Sequence, residues 1–399
     1  MANTRVTNPV TGFNSATEEG LKLPSGTNAN QPSGVQGMIR NDTSETTGSS
    51  ASAIEHHNGT NWQYFAATES PDNPFLASQN FNTVLYPGTG VSNPITGVGF
   101  QPDLIWVKRR TTSTANHYIV DTVRGNGTST YKNLSSDTTN VEGTTTSSGI
   151  TNSTIVDGGF TMQGTGARTN ASGSTYVAWC FKAGGAAVAN TDGSIPSQVS
   201  ANVAGGFSIV SWSGNSVSPS TVGHGLGVAP ELFIIKNLSS AVNWSVYSSS
   251  VGVGFKLLLN EVNQASATSN YANTSPTSSV FSLSGGNEVN GSGSNYIAYC
   301  FHSVAGYSKV GSFVGTGAAG KKITLDFQPA WLMIKRTSTT GNWTIVDDKR
   351  TPLNKYLSAN SNAAETSASN PIVFESDGFS FTGGSFNQSG QTAMYLAFA

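Results

Sequence analysis

One strand motif occurs three times in this chain, and the repetition limits the folds open to it. Gln101-Pro102-Asp103-Leu104-Ile105-Trp106-Val107-Lys108-Arg109 returns as Ala229-Pro230-Glu231-Leu232-Phe233-Ile234-Ile235-Lys236-Asn237 and again as Gln328-Pro329-Ala330-Trp331-Leu332-Met333-Ile334-Lys335-Arg336. A second motif keeps step with it: Gly173-Ser-Thr-Tyr-Val-Ala-Trp-Cys-Phe181, Gly293-Ser-Asn-Tyr-Ile-Ala-Tyr-Cys-Phe301 and Gly390-Gln-Thr-Ala-Met-Tyr-Leu-Ala-Phe398. The three prolines lie 128 and 99 residues apart. Spacings of that length mark duplicated domains, not the roughly 20–50-residue units of a solenoid. A chain so built is expected to cover or project a surface rather than to house one catalytic centre.

Each copy reads as a succession of short strands. An apolar strand ending in a glycine turn opens it (84–90, 209–214 and 312–317), and the Pro-led strand follows. The near-continuous apolar run of that second strand predicts burial on both faces. Next comes a strand around an aromatic residue, at 117–120, 243–246 and 342–346, and later a short strand after Asp-Gly at 157–162 and 377–381, with 279–283 as the degenerate copy. The Gly-led strand closes the unit. Its alternation puts Tyr176, Ala178 and Cys180 on one face and Val177, Trp179 and Phe181 on the other. No helical period exceeds about two turns. The expected fold is therefore all-β: an N-terminal hairpin or extended module at 1–79, then three tandem jelly-roll-like (concanavalin A-like) antiparallel β-sandwiches at 80–185, 205–303 and 306–399. Residues 183–205 read as a Gly/Ala/Ser/Asn linker. The much shorter 304–308 junction predicts that repeats two and three pack as a unit. The leader has few large apolar side chains, mainly around 37–40 and 61–65, and is expected to order itself only against sister chains or a docking partner.

Composition narrows the function. Of 399 residues only 11% are charged and the formal net charge is −2, so there is no cationic footprint for nucleic acid or anionic lipid. No apolar stretch is long enough to cross a membrane, and Met-Ala-Asn-Thr-Arg-Val at the start lacks the apolar core of a secretion signal. The expectation is a protein made in a reducing cytosol, without membrane insertion. Cys180 and Cys300 occupy equivalent places in repeats one and two, with Ala397 at that place in repeat three. They read as small buried core residues, not as a bridge or metal site.

The sharpest chemical candidate is the set Asp121/Arg124 with Glu142, matched by Asp347/Arg350 with Glu365. Two carboxylates could serve glycoside hydrolysis. Repeat two lacks both acids, however, and an Asp–Arg brace at a strand end is the better reading. The histidines 56, 57, 117, 224 and 302 show no zinc spacing. The His56-His57 doublet is compatible with a metal on a threefold axis and equally with a polar hairpin. Trp106, Trp244, Trp331 and Trp343 could stack on sugars, but their matching places inside apolar runs point to the core. Tyr131, Tyr271 and Tyr356, in loops, are the candidate ligand or receptor contacts. No catalytic residue, cofactor or metal is assigned, and the chain is not expected to be an enzyme.

Leu23-Pro-Ser-Gly-Thr-Asn-Ala-Asn-Gln-Pro32, Gly37-Met-Ile-Arg-Asn-Asp-Thr43 and His57-Asn-Gly-Thr-Asn-Trp62 together resemble a short module of bacteriophage fibre and appendage proteins. The Gly99-Phe-Gln-Pro-Asp-Leu and Tyr176-Val-Ala-Trp-Cys blocks are similar to a domain recurring in virion proteins of tailed phages, notably aquatic ones. The resemblance implies a structural protein on the virion surface, tail-fibre-like, trimeric and contributing to host adsorption. It would be anchored to tail or capsid proteins through its leader and would meet a host surface glycan or protein. A head decoration, cement or head-fibre protein that stabilises the capsid is the nearest alternative; a carbohydrate-binding or glycan-cleaving module is the alternative of a different class.

Overall fold

The structure, a computed structural model, describes residues 77–111, 114–125, 131–145, 147–352 and 354–399, together with the backbone of four short strands nearer the N-terminus. Those four, Ser25–Gly26, Ile39–Asp42, Ala53–His57 and Trp62–Tyr64, form one sheet in chain order. Two of them fall where strands are expected; Ala53–His57 lies in the Ser/Thr/Gly-rich stretch between. They belong to a unit spanning Met1–Pro74, and the three repeats form a second unit, Phe75–Ala399.

The protein is all-β, and its three repeats share one topology. In each the closing strand sits between the opening strand and the Pro-led strand, which then pairs with the aromatic strand. In repeat one that order is Phe81–Pro87, Thr175–Phe181, Leu104–Arg109, Tyr118–Asp121; in repeat two Phe207–Ser213, Asn295–Phe301, Leu232–Asn237, Ser245–Ser248; in repeat three Ser308–Val314, Thr392–Phe398, Trp331–Arg336, Trp343–Asp347. A smaller antiparallel sheet covers one face of each, completing a sandwich. The glycine before each closing strand turns the chain with φ of +76°, +73° and +72° at Gly173, Gly293 and Gly390. A Cβ there would meet no atom within 4 Å, so conformation and not space selects glycine.

The segment between repeats one and two is not a plain linker. Val188–Asn190 and Ser197–Asn202 add two strands to the edge of the second repeat's sheet, giving it eight. Alternating burial in Ser197-Gln-Val, rather than its small polar composition, decides the outcome: Ser197 and Val199 are buried while Gln198 between them faces solvent.

The two faces of each central strand serve different cores. Tyr176, Ala178 and Cys180 lie inside the first sandwich, whereas Val177, Trp179 and Phe181 join residues of all three repeats in a common centre. The same split holds for Tyr296/Ala298/Cys300 against Ile297/Tyr299/Phe301, and for Ala393/Tyr395/Ala397 against Met394/Leu396/Phe398. Phe181, Phe301 and Phe398 meet there, with ring centroids 5.4 to 6.3 Å apart. Instead of repeats two and three pairing while repeat one stands apart, all three surround one core.

Three sets of hydrogen bonds close the ring, each running from one repeat to the one before it. The Lys108 ammonium, at the buried end of its Pro-led strand, donates to the Asn362 and Ala363 carbonyls of repeat three. Lys236 donates to Thr139 O in repeat one, and Lys335 to Val262 O in repeat two. The aromatic strands repeat the pattern one step along. His117 Nε2 donates to Ser358 O, Trp244 Nε1 to Ser135 O and Trp343 Nε1 to Leu258 O, three equivalent carbonyls. His117 Nδ1 accepts from Trp106 Nε1 at 2.7 Å, which places the proton on Nε2. In the opposite sense the backbone N–H groups of Glu142, Ala265 and Glu365 donate to Leu238, Thr337 and Arg110.

Burial strips water from the three ammonium groups and lowers them to about 8 at Lys108, about 8 at Lys236 and about 7 at Lys335. An unfolded lysine holds its proton to about pH 10.4. Between those values the unfolded chain binds more protons than the folded one, so the contribution of these groups to stability rises with pH from about 7 to 10 and is flat below. Thermal melts from pH 6.5 to 9.5 are expected to show this rise, and Lys335→Met to reduce its slope. An identical slope in that variant would remove Lys335 as its source.

Candidate functional site

The acidic sets of repeats one and three are braces. Arg124 Nε meets Asp121 Oδ2 at 2.6 Å, the Arg124 backbone N–H donates to Asp121 Oδ1, and Nη1 reaches Glu142 at 3.1 Å. Tyr299 of repeat two donates its hydroxyl to Asp121 Oδ2. Asp347 and Arg350 repeat this at 2.7 Å, with Trp179 Nε1 of repeat one donating to Asp347 Oδ2. The third junction would set position 396 of repeat three against position 248 of repeat two. There Leu396, with nothing to donate, stands at the donor position and Ser248 at the acceptor position, so both members of the pair are replaced together. With their oxygens held by guanidinium, indole and phenol, the two aspartates lock repeat to repeat.

The other candidates separate cleanly. Trp106, Trp244, Trp331 and Trp343 are buried, as are Cys180 and Cys300, whose thiols are free and pushed up by burial. His117 is fully enclosed and held down at about 3 by burial and by the neighbouring Lys108. The side chains of His56, His57 and Tyr131 lie outside the described residues. Tyr271 is no surface contact: it is 0% exposed, and its hydroxyl hydrogen-bonds Ser245 Oγ at 2.9 Å. The surrounding Ser/Asn/Thr sequence suggests an open loop, but its ring packs edge-on against Phe233 and Tyr247. Of the two whose side chains are described, Tyr356 stands at an open site.

That site is a groove of about 280 Å³ at the mouth of the third sandwich. Ile334 and Thr344, neighbours on paired strands, contribute the buried side. Tyr356, on the Lys355–Ser358 strand, and Phe386 supply two partly buried rings, 5.6 Å apart and nearly perpendicular. Arg336, Asn342, Ser367, Ser369 and Ser385 add hydrogen-bonding groups. Lys355 stands beside it, donating to Ser367 Oγ at 2.8 Å. Phe386 and Arg336 were not singled out from sequence. Their signal was positional: Phe386 precedes Asn387, whose counterparts Asn170 and Asn290 make the same turn contact (Oδ1 accepting from Thr316, Thr89 and Asn215 N–H respectively).

A larger groove, about 390 Å³, runs between repeats one and two and is lined by Arg124, Lys132, Glu142, Gln198, Trp212 and Asn295 among others. Its charges are already matched, Glu142 taking Arg124 at 3.1 Å and Lys132 at 3.5 Å. Arg110 occupies the equivalent place at the junction of repeats three and one, bound to Glu365 at 2.8 Å.

Fold and site together define a class: an all-β protein of three fused sandwiches, with Asp121 and Asp347 spent on internal bracing and an open aromatic–polar groove at the mouth of the third. Residues 76–399 match a family described as a domain of unknown function (DUF7483), and the chain belongs to that family. Comparison with curated proteins and with solved structures returned no match. Among the described residues no helix is long and apolar enough to cross a membrane.

Proposed function

We propose that this chain is a structural protein of a tailed-phage particle, displayed on its surface as a fibre or appendage head that takes part in host adsorption. One observation carries the reading. The titratable groups that a catalytic reading would need, Asp121, Asp347 and their arginines, are consumed in closing a rigid ring. A body braced in this way suits display and contact, and the phage-like blocks in leader and repeats point the same way. The leader is the proposed attachment to tail or capsid proteins. The closed ring places three sandwiches around one core within a single chain, and the proposed homotrimer rests on the leader and the resemblance alone.

The test is location. Antibody raised against residues 75–399 is expected to label purified particles at discrete surface sites in electron micrographs and to reduce adsorption to cells. Abundant chain in the infected-cell lysate with none on purified particles would overturn the proposal. Labelling spread over the head, with adsorption untouched, would replace the adsorption role with capsid decoration.

A further inference from the structure

Among the described residues, the groove in repeat three is the one of three equivalent sandwich mouths left without an internal plug. In repeat one the position of Thr344 is taken by Tyr118, whose buried ring lies under the Arg168 guanidinium at 5.4 Å. In repeat two that position is Ser245, and Tyr271 folds in to bond it. A second device bridges the mouth. Arg168 reaches Asn133 Oδ1 at 2.8 Å in repeat one, and in repeat two Glu288 pairs with Lys256. The corresponding residues of repeat three are Ser385 and Tyr356. The short serine cannot span the gap, and Thr344 brings no ring. The opening therefore comes from two coordinated replacements in one repeat.

What the space accepts follows from its walls. Its volume lies just under the roughly 300–1,000 Å³ of small-molecule sites, a size for one ring rather than an extended chain. An apolar ring would strip water from the Asn342 amide and the Ser367 and Ser369 hydroxyls without offering hydrogen bonds in return for those that Lys355 and Asn360 do not supply. A sugar ring supplies hydroxyls to those groups and a C–H face to Tyr356 and Phe386. The charge is one-sided. Among the described residues Arg336 and Lys355 have no carboxylate within ion-pair distance, and the groove lining contains no acid. Arg336 donates to the neutral Gln388 Oε1 at 2.5 Å. A guanidinium so placed favours a carboxylate on the ligand.

We infer that this groove binds a single carboxylated pyranose, a uronic-acid-type sugar of a surface glycan. The inference deepens the adsorption reading, but its test needs no particles. Methyl glucuronide and methyl glucoside are titrated into the full chain, with binding followed by calorimetry and by ligand-observed NMR. The glucuronide is expected to bind, and the glucoside at least tenfold more weakly. Tyr356→Ala should lower glucuronide affinity at least tenfold. Thr344→Tyr, which installs the plug of repeat one, should abolish binding while the thermal transition stays at or above that of the unaltered chain. No glucuronide binding, equal binding of the two sugars, or undiminished binding by folded Thr344→Tyr would each overturn the inference. None of those results bears on whether the chain is found on particles.

Discussion

Expressed alone, the second repeat (residues 205–303) is expected to aggregate or remain molten, whereas the segment 75–399 should melt in one cooperative transition. Separated from its neighbours, the repeat would expose Phe207, Ile209, Leu232, Ile234, Trp244 and Val246, which now face the common centre. A contiguous apolar face of that size exceeds what monomeric proteins leave in water. It would also lose acceptors at Thr139, Ser135 and Thr138 for Lys236 and Trp244. Circular dichroism melts and amide-proton NMR on the fragment provide the check. A dispersed spectrum with a sharp melt would mean that each sandwich is self-sufficient and that the shared centre is mere contact.

The second large effect is expected at Arg350. Its guanidinium is 0% exposed and holds Asp347, which in turn accepts from Trp179 of repeat one. Arg350→Ala would leave a buried carboxylate with only neutral donors, the Trp179 indole and the backbone N–H groups of residues 349 and 350, a change that costs about 3–5 kcal/mol. Denaturant titration of 75–399 measures it. Pairing Arg350→Met with Asp347→Asn should return much of the loss, because the asparagine is neutral and still accepts from Trp179. A single-variant cost below about 1 kcal/mol would show that the pair is a passive surface-like contact.

The strand content of each repeat was legible because period-2 alternation, turn glycines and the repeated motifs all agree. Closure into a ring was harder to read. Both faces of Tyr176–Phe181 are apolar, which signals two cores, but alternation does not say whether the second core belongs to the same repeat. The decisive mark was paired replacement, Trp179/Asp347, Tyr299/Asp121 and Leu396/Ser248, and it becomes visible only once a geometry joins positions far apart in the chain. The buried lysines were in plain view at the end of every Pro-led strand. A lysine there normally signals a strand emerging into water, and only the neighbouring repeat's carbonyls make its burial tolerable. For the site, Tyr356 could be picked out as an aromatic in a polar stretch, and the same rule misplaced Tyr271. Local composition cannot tell a tyrosine that caps a cavity from one that lines it.

Fusion of the three sandwiches has a consequence for valence. A closed assembly of identical subunits must show every surface patch as many times as it has members. Here each third of the circle is free to differ, so among the described residues the recess beside Tyr356 is open while the equivalent places hold Tyr118 and Tyr271. Saturation should come at one equivalent per polypeptide, and any gain from simultaneous attachment has to come from arraying many chains, not from the circle itself.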